Sequence, residues 1–434
     1  MEWMSRTQDA VPTPFAPGEA RAVLERSLGR PLEEVFSYWE EDPMGAASIG
    51  QVHRAVLRDG GRRVVVKVQY PGIEAMFRSD LSTTIDFCKL AMKQHVRPMQ
   101  EIEKQFVTEF DYVGEAANML EIARNMEAGG WSDRIVVPRP VMALCTKEVL
   151  VMDELRAPSL VKGLRDNYRE MAALRGTTLE EMEEEMKAQV RAGTLRLRDV
   201  EADAAEIERV GRLIDASDTV RNVPRFLYNW TLGLLGGGRY AYQWTTKPIN
   251  LGRILQTLSE VHAHQIFVDG VFNGDPHPGN ILIFPDGRLG LIDYGQVKRW
   301  TLEQRLAYAE LIVALAADDH EEIVRAFQQE LHFQTERNDP TVHYRLACFW
   351  NDRNTDDVTE GLNLQEFQDW AEGEDPQKSI PNWPIMASRV SVLVRGMGNA
   401  FGLHLTVAGT WAKYAQQLLE KHGPARGRAV DVEM

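Results

Sequence analysis

The sequence predicts an α+β protein of two lobes, a small β-rich lobe followed by a larger helical one. Three observations predict it. Two β-branched runs, Gln51–Leu57 and Arg63–Gln69, flank Asp59-Gly60-Gly61, and Asp-Gly between apolar runs is a hairpin signal because the turn needs positive φ. Helical periodicity dominates the rest of the chain. Small polar constellations also fall along the chain in an order that belongs to one kind of chemistry, set out below.

Composition narrows the classes. Of 434 residues, 44% are hydrophobic and 26% charged, enough apolar surface to offset ordering entropy and exclude a disordered chain. The net charge is −15, from 49 Lys+Arg against 64 Asp+Glu, which argues against nucleic acid as the main partner. One bound nucleotide needs only a local cation or two. The cysteines (Cys88, Cys145, Cys348) are far apart and form no Cys-x-x-Cys pair; they read as reduced thiols. No apolar run approaches the ~20 residues of a membrane span, and the polar start, with Glu2 and Asp9, lacks a signal-peptide core.

In order along the chain, residues 1–42 read as a Pro-punctuated start and a helix from Pro17 to Phe36, with Ala22, Val23, Leu24 and Leu28 on its apolar positions. Residues 43–154 form the β-rich lobe, with helices over about 73–128 and strands at Ile135-Val-Val and Glu148–Asp153. Residues 155–248 read as a charged helical insert. Thr178-Leu-Glu-Glu181 is a capping box, the acidic run Glu180–Glu185 a solvated helix face, and Gly236-Gly237-Gly238 the clearest flexible point. Residues 249–335 carry a helix, a rigid loop and a short hairpin. Residues 336–434 form a helical extension.

Five constellations carry chemistry. Gly45-Ala46-Ala47-Ser48-Ile49-Gly50-Gln51-Val52 is a small-residue loop leading into a strand, where backbone amides can approach phosphates; alone, a β-turn would look the same. Lys67 ends an apolar strand and needs a partner if buried. Glu109-Phe-Asp111-Tyr-Val-Gly-Glu115-Ala-Ala-Asn118 reads as one helix. Asp111, Glu115 and Asn118 then share a face within about 60°, and Phe106, Phe110, Val113 and Leu120 share another. Glu115 is the first choice to pair with Lys67, and Glu109 is a second polar group or a rim residue. Asp275-Pro-His277-Pro-Gly-Asn280 is a loop fixed by two prolines, its Asp and Asn spaced as in a phosphotransferase catalytic loop. Asp275 with His277 also invites a metal-hydrolase reading, which lacks a third ligand at suitable spacing. Asp293-Tyr-Gly follows a short apolar strand, as the magnesium-holding Asp-Phe-Gly does. With Met152-Asp-Glu154 as the hinge that would carry adenine, the order is that of a protein-kinase-like fold.

These motifs resemble those of the UbiB/ADCK atypical kinase-like family. The Ala-rich loop through Gln51-Val52-His53, the Asp-Pro-His-Pro-Gly-Asn loop and the Glu109-x-Asp111 pattern with Glu115 and Asn118 carry the resemblance, over about residues 5–335. It implies that Lys67 pairs with the nucleotide and Glu115 with Lys67. Asp275 would be the catalytic-loop Asp, and Asn280 and Asp293 the metal ligands. It implies ATP and Mg²⁺ as cofactors and an ATPase or small-molecule kinase supporting isoprenoid-quinone lipid metabolism. Partners would be a lipid or quinone precursor and biosynthetic-complex proteins, with peripheral membrane contact. The location would be mitochondrial or plastid, although no convincing address is present. The family's Lys-x-Gly-Gln tetrapeptide does not occur, so the chain reads as truncated or natively short at its start. A silent nucleotide-binding scaffold and a phosphotransferase for small alcohols or sugars are the alternatives.

Overall fold

The computed structural model of the chain describes residues 18–46, 49–91, 108–192, 194, 197–235 and 238–425. They form two compact units. One takes the chain to Ala157 and returns for Asn280–Lys298; the other comprises Pro158–Gly279 and the chain from Arg299 onward.

The first unit is built on a sheet of β1 (Phe36–Trp39), β2 (Gly45–Ala46), β3 (Gly50–Leu57), β4 (Arg63–Gln69) and β6 (Val149–Asp153). The order is β1-β3-β4-β6, with β2 beside β1 on the outer edge of β3, and every pair is antiparallel. Gly60 and Gly61, both at positive φ, make the β3–β4 turn. The side-chain period of two gives the sheet two different faces. Val64, Val66 and Val68 of β4 pack with Val23 and Leu24 of helix α1 (Glu19–Leu28), and with Leu32, Val35 and Phe36. Val65, Lys67 and Gln69 lie on the opposite face. Because β4 is buried on both faces, it reads as a nearly unbroken apolar run rather than an alternating one.

The expected helix over 17–36 is shorter than that. It ends at Leu28, where Gly29 in the left-handed region donates its N–H to Glu25 O at 2.9 Å. After one further turn at Leu32–Val35, Phe36 starts β1. A left-handed glycine stops a helix by turning the next N–H back onto it.

Two helices complete this side, α2 (Ile73–Ala91) and α3 (Tyr112–Ala128). The short strand β5 (Ile135–Val136) pairs in parallel with Leu289–Leu291, which forms a hairpin with Ile281–Ile283. The hairpin from the later part of the chain therefore belongs to the β-rich unit.

The second unit is helical, with α4 (Leu160–Leu174), α5 (Leu179–Arg191), α6 (Val200–Trp230), α7 (Leu251–Ala263), α8 (Leu302–Ala317), α9 (Pro340–Asn351), α10 (Ile385–Asn399) and α11 (Val407–His422). The capping box at the start of α5 is present: Glu181 N donates to Thr178 Oγ1 at 3.2 Å, and Thr178 N donates to Glu181 Oε2 at 3.0 Å. An aromatic cluster fills the core. Trp300 meets Phe272, Tyr308 and Trp383 edge-on, with centroids 5.0–5.1 Å apart, and Phe267 meets Trp411 at 6.1 Å. Two of the polar tips are matched: Trp411 Nε1 donates to Ser259 O at 3.0 Å and Tyr308 OH to Asn351 Oδ1 at 2.9 Å, as buried indole and phenol groups prefer.

Candidate functional site

The register of the sheet sets one polar group in an apolar row. Gly45, Val52, Lys67 and Leu150 stand opposite one another across β2, β3, β4 and β6, so the side chains of Val52, Lys67 and Leu150 share a face. Met152, opposite Val65, is on that face as well. Lys67 is 8% exposed and Leu150 is fully buried, so the ammonium leaves water and needs countercharge.

Two carboxylates supply it. Lys67 Nζ donates to Glu115 Oε1 at 2.6 Å and to Asp293 Oδ2 at 3.3 Å. Burial alone would lower the Lys67 pKa, but Asp293 and Glu115 outweigh it and hold the ammonium above its ordinary value. Burial raises the Glu115 carboxyl above its usual range, against the pull of Lys67, and the charge on Asp293 adds to the rise. The Asp293 carboxyl falls below its range: burial opposes this, while Lys67 and the Gly295 N–H outweigh it. Asp293 Oδ1 accepts from Gly295 N at 3.1 Å. The Asp293 side chain keeps 37% of its surface open, against 6% for Glu115. Glu115 is thus the enclosed partner and Asp293 the more open one.

The turn before α3 departs from the expected single helix. Helix α3 starts at Tyr112, Asp111 is its N-cap, and Glu109 sits in a 3₁₀ turn, Thr108–Phe110. Asp111 Oδ1 accepts from Gly114 N at 3.0 Å. A Cβ on Gly114 would lie 2.6 Å from Asp111 Oδ2, so a side chain there would make the capping carboxylate shift. Phe110 is buried, but Val113 faces solvent, because the first helical turn does not continue the phase of the residues before it. Phe106 lies outside the described residues. Glu109 and Asn118 both hold the segment after Asp293: Gln296 Nε2 donates to Glu109 Oε1 at 2.6 Å and Asn118 Nδ2 to Tyr294 O at 3.2 Å.

Among the loop residues, Ala47 and Ser48 lie outside the described residues. Gly45 and Ala46 form β2. Gly50 has a packing reason to be glycine: a Cβ there would come within 2.2 Å of Val68 O, closer than backbone tolerates. At the expected hinge, Met152 is buried in β6. The Glu154 carboxylate is gathered by Arg54 at 3.0 Å, Arg63 at 2.7 Å and Arg156 at 3.5 Å. Asn280 closes a 3₁₀ turn, and its C=O accepts from Ile292 N at 3.1 Å, which ties it to the strand end that presents Asp293.

Asp275 and His277 are carried by the second unit. Gln265, fully buried, accepts from Asn273 N at 3.2 Å through Oε1; Asn273 Oδ1 then accepts from Asp275 N at 3.0 Å. This relay of side-chain amides fixes the loop. Asp275 Oδ1 lies 3.0 Å from Arg389 Nη2 of α10, and His277 Nδ1 accepts from Gly279 N at 3.1 Å. Sequence reasoning missed Arg389, Gln265 and Gln296. The only local signal was two Gln residues in otherwise apolar or turn context. Nothing near Asp275 in the chain points to a residue more than a hundred positions away.

A strand lysine paired with a helix glutamate, and an Asp-Tyr-Gly turn beside them, define a protein-kinase-like α+β fold. Comparison with known proteins identifies the family: the ABC1 atypical kinase-like domain matches residues 6–188 and 239–327, and the chain belongs to it. Among relatives, it is 24% identical over 415 residues to an AarF domain-containing protein kinase 1 of Xenopus laevis, covering 90% of this chain and 62% of that one. It is 35% identical over 162 residues to a probable protein kinase UbiB of Aeromonas salmonicida, covering 36% of this chain and 29% of that one. The chain thus spans less than two thirds of the length of these relatives. A solved structure, the complex of Rv3197 with erythromycin from Mycobacterium tuberculosis, superposes with a TM-score of 0.54 at 19% identity. The likeness covers 96% of this chain and 85% of that one and concerns the fold.

Proposed function

We propose that the chain binds Mg-ATP and acts as an atypical kinase or ATPase on a small, lipid-linked substrate of isoprenoid-quinone metabolism. The observation that carries this reading is the buried Lys67 held between Glu115 and the more open Asp293. An ammonium fixed in this way is preorganised for the α- and β-phosphates and costs no reorganisation when they arrive. In this assignment Glu115 keeps Lys67 charged and aimed. The backbone of 45–52, with Ala46, Ala47, Ser48, Gly50 and Val52, covers the phosphates, and Met152–Glu154 receives the adenine.

The donor set fits magnesium. A carboxylate (Asp293) and an amide oxygen (Asn280) are hard oxygen ligands, and Mg²⁺ takes one or two such ligands with phosphate and water. The ion would supply charge neutralisation between phosphate oxygens. Asp275, fixed by the Asn273 relay, is the candidate to accept the acceptor's hydroxyl proton. The quinone-lipid substrate rests on the resemblance and on the UbiB name of the bacterial relatives, as do biosynthetic-complex partners and a mitochondrial, plastid or bacterial membrane setting.

The test is a nucleotide-binding titration with and without Mg²⁺, followed by phosphate release in the presence of lipid extract. The expected outcome is metal-dependent binding that Asp293→Asn abolishes, and phosphate release that Asp275→Asn lowers by at least about a hundredfold. Unchanged nucleotide affinity in Asp293→Asn would overturn the site. Tight binding without release in wild type would assign a silent scaffold instead.

A further inference from the structure

The nucleotide reading leaves the segment from Asp218 to Lys247 unused, and most of it falls in the gap, 189–238, between the two stretches matched by the family. It is a hairpin turned inside out. The second half of α6 runs to Trp230, and the chain passes through the 3₁₀ turn Leu232–Leu235 and returns as an extended segment along the helix.

Polar side chains face inward. Asn229 exchanges two hydrogen bonds with the backbone of Tyr240, at 2.8 and 2.9 Å, and Asn222 two with Gln243, at 2.6 and 2.9 Å. Asp218 accepts from Thr245 N at 2.5 Å and from Thr245 Oγ1 at 2.8 Å. These three helix residues are at most 7% exposed. At about 100° per residue they fall within about 40° of one another.

The apolar side chains face outward. Phe226, Leu227, Trp230, Leu232 and Leu234 near the tip, and Trp244 on the return, are each at least 50% exposed. A water-facing hairpin would have the opposite polarity.

Charge says what covers this surface. No Asp or Glu occurs from Thr219 to Ser259, in a chain of net charge −15; Lys247 pairs with Asp215 at 2.6 Å and Arg221 lies 3.6 Å from Asp218, so Arg225 and Arg239 carry the hairpin's surplus charge. Trp and Tyr at the rim with cations behind an apolar tip is the composition that settles at the headgroup level of a bilayer. The amide ladder also satisfies return-strand backbone groups that would otherwise be costly away from water. Among the described residues no helix is long and apolar enough to cross a membrane, so the hairpin fits an anchor that lies in one leaflet.

We propose that residues 219–235 and 238–247 form a membrane-interface anchor. The anchor seats its tip, 226–234, at the headgroup–acyl boundary of a bilayer containing anionic phospholipid. The test is co-sedimentation of the full chain with vesicles of phosphatidylcholine alone, or with about one third phosphatidylglycerol. Binding to the anionic vesicles is expected, at least about tenfold tighter than to the neutral ones and weakened by salt. The double variant Trp230→Asp, Leu234→Asp should lose that binding by more than about tenfold. Leu174→Asp, on an exposed apolar residue of α4, should keep it, with circular dichroism confirming that both variants fold. Failure of wild type to sediment with anionic vesicles would overturn the proposal, as would equal binding by the double variant. Self-association that the double variant abolishes, without vesicle binding, would assign the face to a second copy of the chain. The vesicle assay contains no nucleotide, so its result is independent of the kinase-like reading.

Discussion

Two regions of this protein bury polar groups and do so in opposite ways. Around Lys67 the buried groups are charged and only partly reconciled: one cation faces two carboxylates, and burial raises Glu115 while Asp293 falls. Along 218–245 they are mostly neutral amides, and each Asn is paired reciprocally with backbone. The difference agrees with the roles proposed for the two regions. A cluster with one surplus carboxylate, more open than its neighbours, has capacity left for a ligand. A ladder whose donors meet acceptors has none, so its role is to hold a shape while the apolar side chains point away.

Removing the cation breaks the first region most severely. Lys67→Met would leave Glu115 and Asp293 facing each other without countercharge. A loss on the order of 3–5 kcal/mol is expected in denaturant unfolding at neutral pH. The loss should shrink as pH falls and Glu115, whose pKa is already raised, takes up a proton. A variant as stable as wild type at pH 7 would show that Lys67 is not the charge the carboxylates depend on.

A buried group kept neutral by desolvation sharpens the contrast through pH. His262 in α7 is 1% exposed, bonded through Nδ1 to Leu258 O at 2.7 Å, and burial lowers its pKa to about 4. Its folded pKa lies below the unfolded value of about 6.5, so the unfolded chain binds the extra proton between those two values. Its stability contribution is complete above pH about 6.5 and is lost as pH falls toward 4, by about 3 kcal/mol in all. The check is the difference in unfolding free energy between wild type and His262→Gln across that window. A pH-independent difference would refute the assignment.

The smallest of the three effects belongs to the ladder. Asn222→Leu would leave the N–H and C=O of Gln243 without their partners, at a cost of about 1–3 kcal/mol. The change should stay local and appear as faster amide exchange at Gln243 and Tyr240, with the Lys67 region unchanged. Protection retained at Gln243 would show that the ladder does not hold the return segment.

Much of the candidate site was legible because its residues are chemically out of place in their local pattern. A lysine in a valine strand, an aspartate closing an apolar strand and a doubly proline-fixed Asp…Asn loop each announce themselves. The turn into α3 was less legible, since Asp111 serves as a cap and a cap breaks the phase that helical counting assumes. Arg389, Gln265 and Gln296 were not legible, because their partners are set by tertiary packing. The hairpin was hidden for a related reason: apolar residues at helical spacing suggest a core face whichever way the helix turns.

The sequence by itself determined the β3–β4 hairpin, the capping box at Thr178 and the choice of Glu115 as the partner for Lys67, because each depends on short-range chemistry or on one unmistakable charge requirement. Only the tertiary structure decided that Asp293 shares Lys67 with Glu115, that Arg389 reaches Asp275, and that α6 turns its asparagines inward. Those outcomes depend on which surfaces meet across long stretches of chain, and a local pattern carries no information about the far side of a contact.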